Sequence, residues 1–240
     1  AGIVPIALGL KEFGPLMAWF DYINLRINGL TFHNNLLQGK ISYTDPRVQK
    51  VLTEWKRLID KQFYTPNAHQ VNWSNAFLDV FWRKSAFYLA GNFVSGRFGD
   101  RTLYKNMDYM AFPKINDIPL YEDAPTEIFL LPKNAKNPTG AKLFLEYFSR
   151  PEVQTKLSIS LGYFPAHKQI DYKSYKEAPL AKKNLDVLNK AQGIAQYFDR
   201  DTVPEFEQKV KPLFVQFMRD GDIEALTQAL EVHRQAIFTP

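Results

Sequence analysis

Three acidic residues near the middle of the chain are the side chains best suited to acid–base chemistry. Glu122 and Asp123 are adjacent, and Glu127 follows four residues after Asp123. Glycoside hydrolysis requires a pair of carboxyl groups, one as an acid and one as a base or nucleophile. A solvated acidic loop would account for the same residues without any role in chemistry. The interpretation we favour over both is that these carboxylates accept hydrogen bonds from sugar hydroxyls without any chemistry.

Other catalytic signatures are missing from the sequence. It contains no glycine-rich phosphate loop, no dinucleotide-binding glycine motif and no Gly-x-Ser-x-Gly elbow. It has no cysteine, which rules out disulfides, thiolate metal ligands and a cysteine nucleophile. The four histidines lack a second histidine or a carboxylate at metal-ligand spacing on a convincing helix. We therefore expect no catalytic residue, no metal and no cofactor.

Composition and charge narrow the classes of partner. Aromatic residues make up 15% of the chain, and core packing absorbs many of them, but a sugar-binding cleft uses the same flat rings. The net charge of +5 is small for 240 residues, and basic residues cluster only in pairs such as Arg83-Lys84. A nucleic-acid-binding surface needs a concentrated basic stripe, so no nucleic acid is expected as a partner.

The elements that would position these residues alternate between short apolar runs and amphipathic stretches. Apolar runs bounded by Gly or Pro predict strands over residues 3–8, 85–90, 107–112 and 128–131. Apolar residues at helical spacing predict helices over residues 15–28, 30–39, 46–59, 75–82, 138–148, 151–161, 182–192, 203–220 and 222–238. Residues 114–125, which include Glu122 and Asp123, are expected to form a loop. Few strands among many helices predict an α/β fold with a mainly parallel or mixed sheet.

Five stretches of the chain form a series in which no single member is specific. In chain order they are Trp19-Phe20-Asp21-Tyr22 with Arg26-Ile27-Asn28-Gly29, residues 39–46, residues 85–93 ending in Gly91-Asn92-Phe93, residues 109–113, and residues 131–138 with Gly162-Tyr163-Phe164-Pro165. Their order and spacing resemble the bacterial extracellular solute-binding proteins of carbohydrate ABC importers, the maltose- and oligosaccharide-binding type. The sequence departs from that family at Arg83-Lys84, where Gly-Lys is frequent, and at Asn92-Phe93, where a Trp often follows the Gly.

The resemblance implies a fold class and a division of the chain. The implied fold is α/β, of the periplasmic-binding-protein-like type II, with two lobes that close on a ligand by hinge motion. Residues 1–125 would form the main α/β lobe, and residues 126–240 a return crossing and C-terminal helices. Family members are longer, so the chain is expected to be mostly the C-terminal lobe with a helix-rich tail. The N-terminal lobe is expected to be largely absent, and the C-terminal helices would pack on it.

The resemblance also implies a sugar or oligosaccharide ligand in a cleft between the lobes. Ring stacking would come from Trp19 and Phe93, although Trp19 suits the helix-face core equally well. The residues expected to hydrogen-bond hydroxyl groups are Asp21, Asn92, Asp123 and Thr126, and Tyr163 suits either role.

The implied function is capture of this ligand and its delivery to membrane permease subunits of an ABC importer, with no chemistry on the ligand. The implied location is the periplasm, or the cell exterior for a lipoprotein, and residues 1–5 do not have the pattern of a signal peptide. Two alternatives stay open. One is a carbohydrate hydrolase that uses Glu122 or Glu127, and the other is a sensory sugar-binding module that feeds a receptor.

Overall fold

The computed structural model describes residues 2–11, 14–94, 106–169, 171–175 and 178–239. In chain order the elements are β1 (Val4–Ala7), α1 (Gly14–Leu37), α2 (Pro46–Asp60), α3 (Trp73–Phe81), β2 (Ser85–Tyr88), β3 (Tyr121–Asp123), α4 (Pro138–Phe148), α5 (Pro151–Leu161), α6 (Ala178–Lys190), β4 (Gly193–Ala195), α7 (Phe198–Asp201), α8 (Pro204–Asp220) and α9 (Ile223–Phe238). Short 3₁₀ helices occur at Ala68–Gln70 and Tyr172–Ser174.

The chain divides into two compact units. Unit 1 comprises residues 1–89, 112–125 and 190–240, and unit 2 comprises residues 90–111 and 126–189.

The described residues of unit 1 form two sheets of two parallel strands each. β1 pairs with β2, with Ile6 opposite Phe87, and β3 pairs with β4, with Glu122 opposite Ile194. Parallel neighbours cannot be joined by a tight hairpin and need a crossover connection. The connection between β1 and β2 contains α1, α2 and α3. Parallel strands joined through helices confirm the expected α/β class.

The core of unit 1 lies between its long helices. α1 packs on α2, while α9 packs on both α8 and α2. The buried face of α2 includes Trp55, whose ring centroid lies 5.5 Å from that of Phe217 and 6.0 Å from that of Phe214 on α8. Aromatic pairs at these separations add to the free energy gained by burying their area.

α1 contains a break at Gly29, where the backbone has φ 77° and ψ 175°. Glycine adopts positive φ without the strain that a Cβ would introduce. A Cβ at this position would also lie 3.3 Å from the ring of Tyr121. The expected separation of two helical segments at Asn28-Gly29 is therefore confirmed.

Several of the strand assignments made from the sequence are wrong. Residues 107–112 and 128–131 form no strand, although each is an apolar run. In contrast, β3 lies in the stretch predicted to be a loop, and β4 was not predicted. An apolar run indicates a segment suited to burial, but a strand also needs a hydrogen-bonded neighbour, which hydrophobic pattern does not reveal.

The C-terminal helices belong to unit 1. α8 contacts α1 and α9 contacts α2, so the buried faces of both helices are covered within this chain. The expectation that these helices also pack on an N-terminal lobe stays a prediction. The boundaries of the two units do not follow the single division expected at residue 125. Residues 190–240 belong to unit 1 and residues 90–111 belong to unit 2.

Gly9, which follows β1, lies against the backbone at the start of α3. A Cβ on Gly9 would lie 2.5 Å from the Asn72 carbonyl oxygen and 2.8 Å from the Trp73 nitrogen. Both are backbone atoms, so neither can rotate away. We expect Gly9→Ala to lower the free energy of unfolding by about 1–2 kcal/mol, as measured by urea denaturation. An unchanged midpoint would contradict this contact.

Glu231 on α9 anchors the loop between α1 and α2. Its Oε2 accepts a hydrogen bond from the Tyr43 N–H at 2.8 Å, and its Oε1 lies 2.6 Å from Nη2 of Arg234. Arg234 also donates through Nη1 to the Gly39 carbonyl at 2.8 Å. Burial raises the pKa of Glu231, but the hydrogen bonds from Arg234 and Tyr43 outweigh that effect and lower the pKa to about 2.

We expect Glu231→Gln to destabilise the protein in a pH-dependent way. The unfolded carboxyl protonates near pH 4.5 and the folded one near pH 2, so the stabilisation is complete above pH 4.5 and is lost as the pH falls to 2. Urea denaturation should show a loss of about 1–2 kcal/mol at pH 7 and a smaller loss at pH 3. Glu224→Gln, an exposed change on the same helix, is the control, and equal losses at both pH values would count against this account.

Candidate functional site

Arg26 on α1 holds β3 and the segment before it in place. Its Nε donates to the Phe112 carbonyl at 3.1 Å, its Nη1 donates to the Tyr121 carbonyl, and its Nη2 lies 2.6 Å from Oε1 of Glu122. The side chains of Arg26 and Glu122 are each only 2% exposed. Because a buried guanidinium has no water to solvate it, the acceptors around it must come from the protein. The contacts of Arg26 therefore hold β3 in a fixed position against α1.

Tyr22, one helical turn before Arg26, completes the contacts of Glu122. Its hydroxyl donates to Oε2 of Glu122 at 3.1 Å and approaches the Asp123 carbonyl at 3.4 Å. Its ring stacks on Phe112, with centroids 5.0 Å apart and an angle of 14° between the planes. Both carboxylate oxygens of Glu122 are thus in hydrogen bonds. The solvated-loop interpretation of this pair is wrong, because both residues lie on a buried strand.

Asp123, the last residue of β3, has a different environment from its neighbour. Its side chain is 7% exposed, and neither carboxylate oxygen has a hydrogen-bond partner among the described residues. Burial raises the pKa of Asp123 well above its ordinary value, and nearby carboxylates raise it further. These carboxylates are Asp21 on α1, Asp201 and Asp199 on α7, and Glu122 on β3. A buried carboxyl with two unoccupied acceptors is costly for stability and well placed to receive donors from a ligand.

Asp21 lies in the same buried region. Its Oδ2 accepts a hydrogen bond from the Phe198 N–H at 2.9 Å, whereas its Oδ1 has no partner among the described residues. Burial raises the pKa of Asp21 well above its ordinary value, although the bond from Phe198 opposes that change. Asp21 therefore joins α1 to the start of α7, and its side chain is completely buried.

His33 lies next to Asp21 in the same buried region. Its Nε2 lies 3.9 Å from Oδ1 of Asp21, and its Nδ1 lies 3.1 Å from the side-chain amide nitrogen of Asn24. Burial lowers the pKa of His33 to about 3, so the ring is neutral at physiological pH. Because the amide of Asn24 donates to Nδ1, the ring proton is on Nε2. No charge on His33 therefore offsets the carboxyl groups of this region.

The seven residues expected to bind ligand are divided between the two units. Trp19, Asp21 and Asp123 belong to unit 1, whereas Asn92, Phe93, Thr126 and Tyr163 belong to unit 2. Trp19 is buried, with its ring edge-on to Tyr64 at 5.2 Å and to Phe112 at 5.6 Å. This location corresponds to the core position that the sequence left open for Trp19. The placement of all seven residues on one cleft stays a prediction.

The four residues of unit 2 occupy three separate segments. Asn92 lies in a turn and Phe93 begins a helical segment, with the Val94 N–H bonded to the Gly91 carbonyl at 3.3 Å. Thr126 is exposed. Tyr163 is also exposed, and it follows Gly162, whose φ of 73° ends α5. These positions leave Thr126 and Tyr163 accessible, while Asn92 and Phe93 are half-buried.

Sequence reasoning missed the roles of Tyr22 and Arg26, although both lie in a stretch that it singled out. The sequence feature that could have revealed them is their spacing of four residues, which places an aromatic hydroxyl and a guanidinium on one face of a helix. What could not be inferred was their partner, because Glu122 lies 96 residues beyond Arg26. Within the described part of the chain no group of His, Asp and Glu residues could hold a metal ion. No helix there is both long and apolar enough to span a bilayer.

The profile of the bacterial extracellular solute-binding protein family matches residues 11–183. The chain belongs to this family. A curated relative of this solute-binding protein is an uncharacterized ABC transporter extracellular-binding protein of Pyrococcus horikoshii. It is 26% identical over 192 residues, which are 80% of this chain and 42% of the relative.

Solved structures of binding proteins share the fold of this solute-binding protein. The bacterial solute receptor AcbH, described as having an exclusive preference for β-D-galactopyranose, is 28% identical with a TM-score of 0.84. A chitin oligosaccharide binding protein is 19% identical with a TM-score of 0.79, and it supports the fold alone. Each match covers 99% of this chain and 61% of the other chain. The chain thus spans about three fifths of the length of these structural relatives, and less than half of the curated one.

Proposed function

We propose that this solute-binding protein captures a sugar or oligosaccharide and delivers it to the permease subunits of an ABC importer without changing it chemically. The observation that carries the proposal is Asp123, a buried carboxyl at the end of a parallel strand with both oxygens unoccupied among the described residues. Open α/β sheets commonly bind ligands beyond the carboxyl ends of their strands. Family membership and the similarity to AcbH support a carbohydrate as the ligand.

The chemistry of Asp123 suits a carbohydrate. A carboxylate accepts hydrogen bonds at both oxygens, so it can bind two neighbouring hydroxyls of one sugar ring. Donors from a ligand would favour the charged form of Asp123, and hydrogen bonds to a charged acceptor in a poorly solvated site are stronger than those between neutral groups. The neighbouring hydrogen-bonded cluster of Arg26, Glu122 and Tyr22 would keep β3 from moving when Asp123 binds a ligand. A fixed acceptor of this kind binds with less loss of conformational entropy.

The residues of unit 2 are proposed to supply the remaining contacts. Phe93 and Tyr163 offer rings that cover the apolar face of a pyranose, and Asn92 and Thr126 offer side chains that pair with hydroxyls. We propose a periplasmic or extracellular location for the protein, consistent with a family of extracellular binding proteins. Glu122 does not favour the hydrolase alternative, because its carboxylate is already fully hydrogen-bonded.

The proposal is tested with the protein expressed from its complete reading frame. Isothermal titration calorimetry with D-galactose and a panel of neutral di- and trisaccharides should reveal at least one ligand with a Kd at or below about 10 μM. Chromatography of the same mixtures after prolonged incubation should return the sugars intact. Release of shorter sugars, abolished by Glu127→Gln, would replace the import function with hydrolysis. A complete lack of binding across the panel would remove carbohydrate as the ligand class.

A further inference from the structure

Asp21 and Asp123 place three carboxyl oxygens without hydrogen-bond donors in one buried region of unit 1. These are Oδ1 of Asp21 and both oxygens of Asp123, none of which has a partner among the described residues. The two side chains are 0% and 7% exposed, respectively. A carboxylate in such surroundings loses its hydration without gaining donors or a cation, so it holds a proton instead. The environment therefore favours the neutral form of both groups.

The titratable groups around this pair of aspartates are mostly acidic. β3 packs against α1 and pairs with β4, which itself contains no titratable residue. The other groups come from α1, from β3 and from the segment that runs from the end of β4 into α7. The acidic groups are Glu122, Asp199 and Asp201, and the remaining ones are Tyr22, Arg26, His33, Tyr197 and Arg200.

The basic groups in this set do not compensate a charge on Asp123. Arg26 lies 2.6 Å from Glu122, which neutralises it. Burial lowers the pKa of His33 to about 3, so its ring is neutral. Arg200 is exposed on α7, where water and salt screen its charge. Among the described residues, a charged Asp123 would therefore have neither a buried cation nor a donor beside it.

We infer that binding of a sugar at Asp123 releases one proton, so that the affinity of the protein for its ligand increases with pH. Before binding, the carboxyl group of Asp123 carries the proton. When two sugar hydroxyls donate to its oxygens, the O–H bond of the acid breaks and the proton passes to the solvent. The inference rests on the proposed function, because it requires that the ligand contacts Asp123.

The hydroxyls of a sugar change the balance between the two forms of this carboxyl group. Burial and the neighbouring carboxylates raise the pKa of Asp123 in the free protein. Hydrogen bonds donated to its oxygens favour the charged form and lower the pKa in the complex. At any pH between these two pKa values, the complex carries one proton fewer than the free protein. The proton is lost to the buffer, where it is measurable.

Asp21 is expected to keep its own proton during this step. Its side chain is completely buried, and its Oδ2 is already occupied by the Phe198 N–H. Once Asp123 is charged, a second charge on Asp21 would meet like-charge repulsion, which favours the neutral form of Asp21. The pair of aspartates therefore releases one proton and not two.

Isothermal titration calorimetry tests the inference on the protein expressed from its complete reading frame. A sugar that binds in the ligand panel is titrated at pH 6 in phosphate and in imidazole, two buffers that differ in ionisation enthalpy. The difference in binding enthalpy should correspond to about 0.5–1 proton released per sugar bound, and the Kd should fall about fivefold to tenfold per pH unit from pH 5 until it levels off. Tight binding with equal enthalpies in both buffers and a constant Kd would overturn the inference and leave sugar capture intact. Absence of binding by every sugar would remove both.

Three substitutions assign the proton to its residue. Asp123→Asn should bind the sugar more weakly, with no proton release and with a Kd that is independent of pH. Asp117→Asn, an exposed change in the loop before β3, should release the proton as the unchanged protein does. Asp199→Asn removes one neighbouring negative charge, so the Kd should level off at a lower pH while the release persists. Proton release that survives in Asp123→Asn would overturn the inference. If that variant binds too weakly for calorimetry, an Asp199→Asn variant with an unchanged pH profile would do so.

Discussion

Replacing Arg26 with methionine is expected to lower the free energy of unfolding by about 3–5 kcal/mol, since removal of one partner leaves the other buried charge unpaired. Arg26 and Glu122 are both almost completely buried, so without Arg26 the Glu122 side chain would keep only its hydrogen bond from Tyr22. The change also removes the donors to the Phe112 and Tyr121 carbonyls. Methionine fills similar volume without a polar group, so the effect measured is that of the lost charge and donors.

Urea denaturation of four variants, which are Arg26→Met, Glu122→Gln, the double variant and Arg57→Met, would separate this effect from general sensitivity to substitution. Arg57→Met is the control, because Arg57 pairs with Glu54 on the exposed face of α2 and should contribute little. The double change Arg26→Met with Glu122→Gln should recover part of the loss, because it removes the unpaired charge. If Arg26→Met matches Arg57→Met, or if the double variant is less stable by the sum of the single losses, the buried pair does not act as a unit.

The helices could be predicted because the residues that begin them act locally. Asp45 accepts a hydrogen bond from the Arg47 N–H at 2.8 Å, and Asn137 accepts one from the Gly140 N–H at 2.9 Å. Asp222 does the same for the Ala225 N–H at 2.9 Å. Each cap lies within three residues of its partner, so its pattern is visible in the sequence. The family resemblance rested on the same regular order of elements, and the family match confirms it.

The site could be predicted only in part, because its character depends on contacts between distant segments. Asp123 was singled out as an acceptor for sugar hydroxyls, but its burial depends on pairing between β3 and β4, where Asp123 lies opposite Ala195. β3 is a three-residue strand with two acidic residues, which gives no apolar pattern to detect. For Asp21, the acceptor role was visible from residue type, while its partner at Phe198 lies 177 residues away. Asp21 is completely buried, and its contact with a ligand stays a prediction.

Asp123→Asn is expected to stabilise the protein at neutral pH while weakening its binding of sugar. Burial and the surrounding carboxylates raise the pKa of Asp123, so the folded protein retains this proton to a higher pH than the unfolded chain does. Stability contributed by the neutral carboxyl is therefore complete below about pH 4, the ordinary range of an aspartate, and is lost as the pH rises toward the folded pKa. Asparagine stays neutral throughout and removes this loss.

The gain should be about 2 kcal/mol at pH 7 and close to zero at pH 4, as measured by urea denaturation at the two pH values. Asp117→Asn is a matched control, because Asp117 is fully exposed in the loop before β3. Glu122→Gln should have the opposite sign, because it weakens the contact with Arg26. A stability gain that is equal at pH 4 and pH 7 would show that the carboxyl group of Asp123 is not the cause.

The combination of greater stability and weaker binding is what distinguishes a binding role from a packing role for Asp123. A buried carboxyl that only destabilises the fold has no structural reason to be there, whereas one that contacts a ligand lowers stability but contributes to binding.

For the sugar found in the ligand panel, we expect Asp123→Asn to raise the Kd by about 10- to 100-fold, because the amide replaces one acceptor with a donor and removes the charge. Asp117→Asn should leave the Kd unchanged. If Asp123→Asn stabilises the protein and binds that sugar as tightly as before, the ligand does not contact this carboxyl, and the acceptor must be sought among the residues of unit 2.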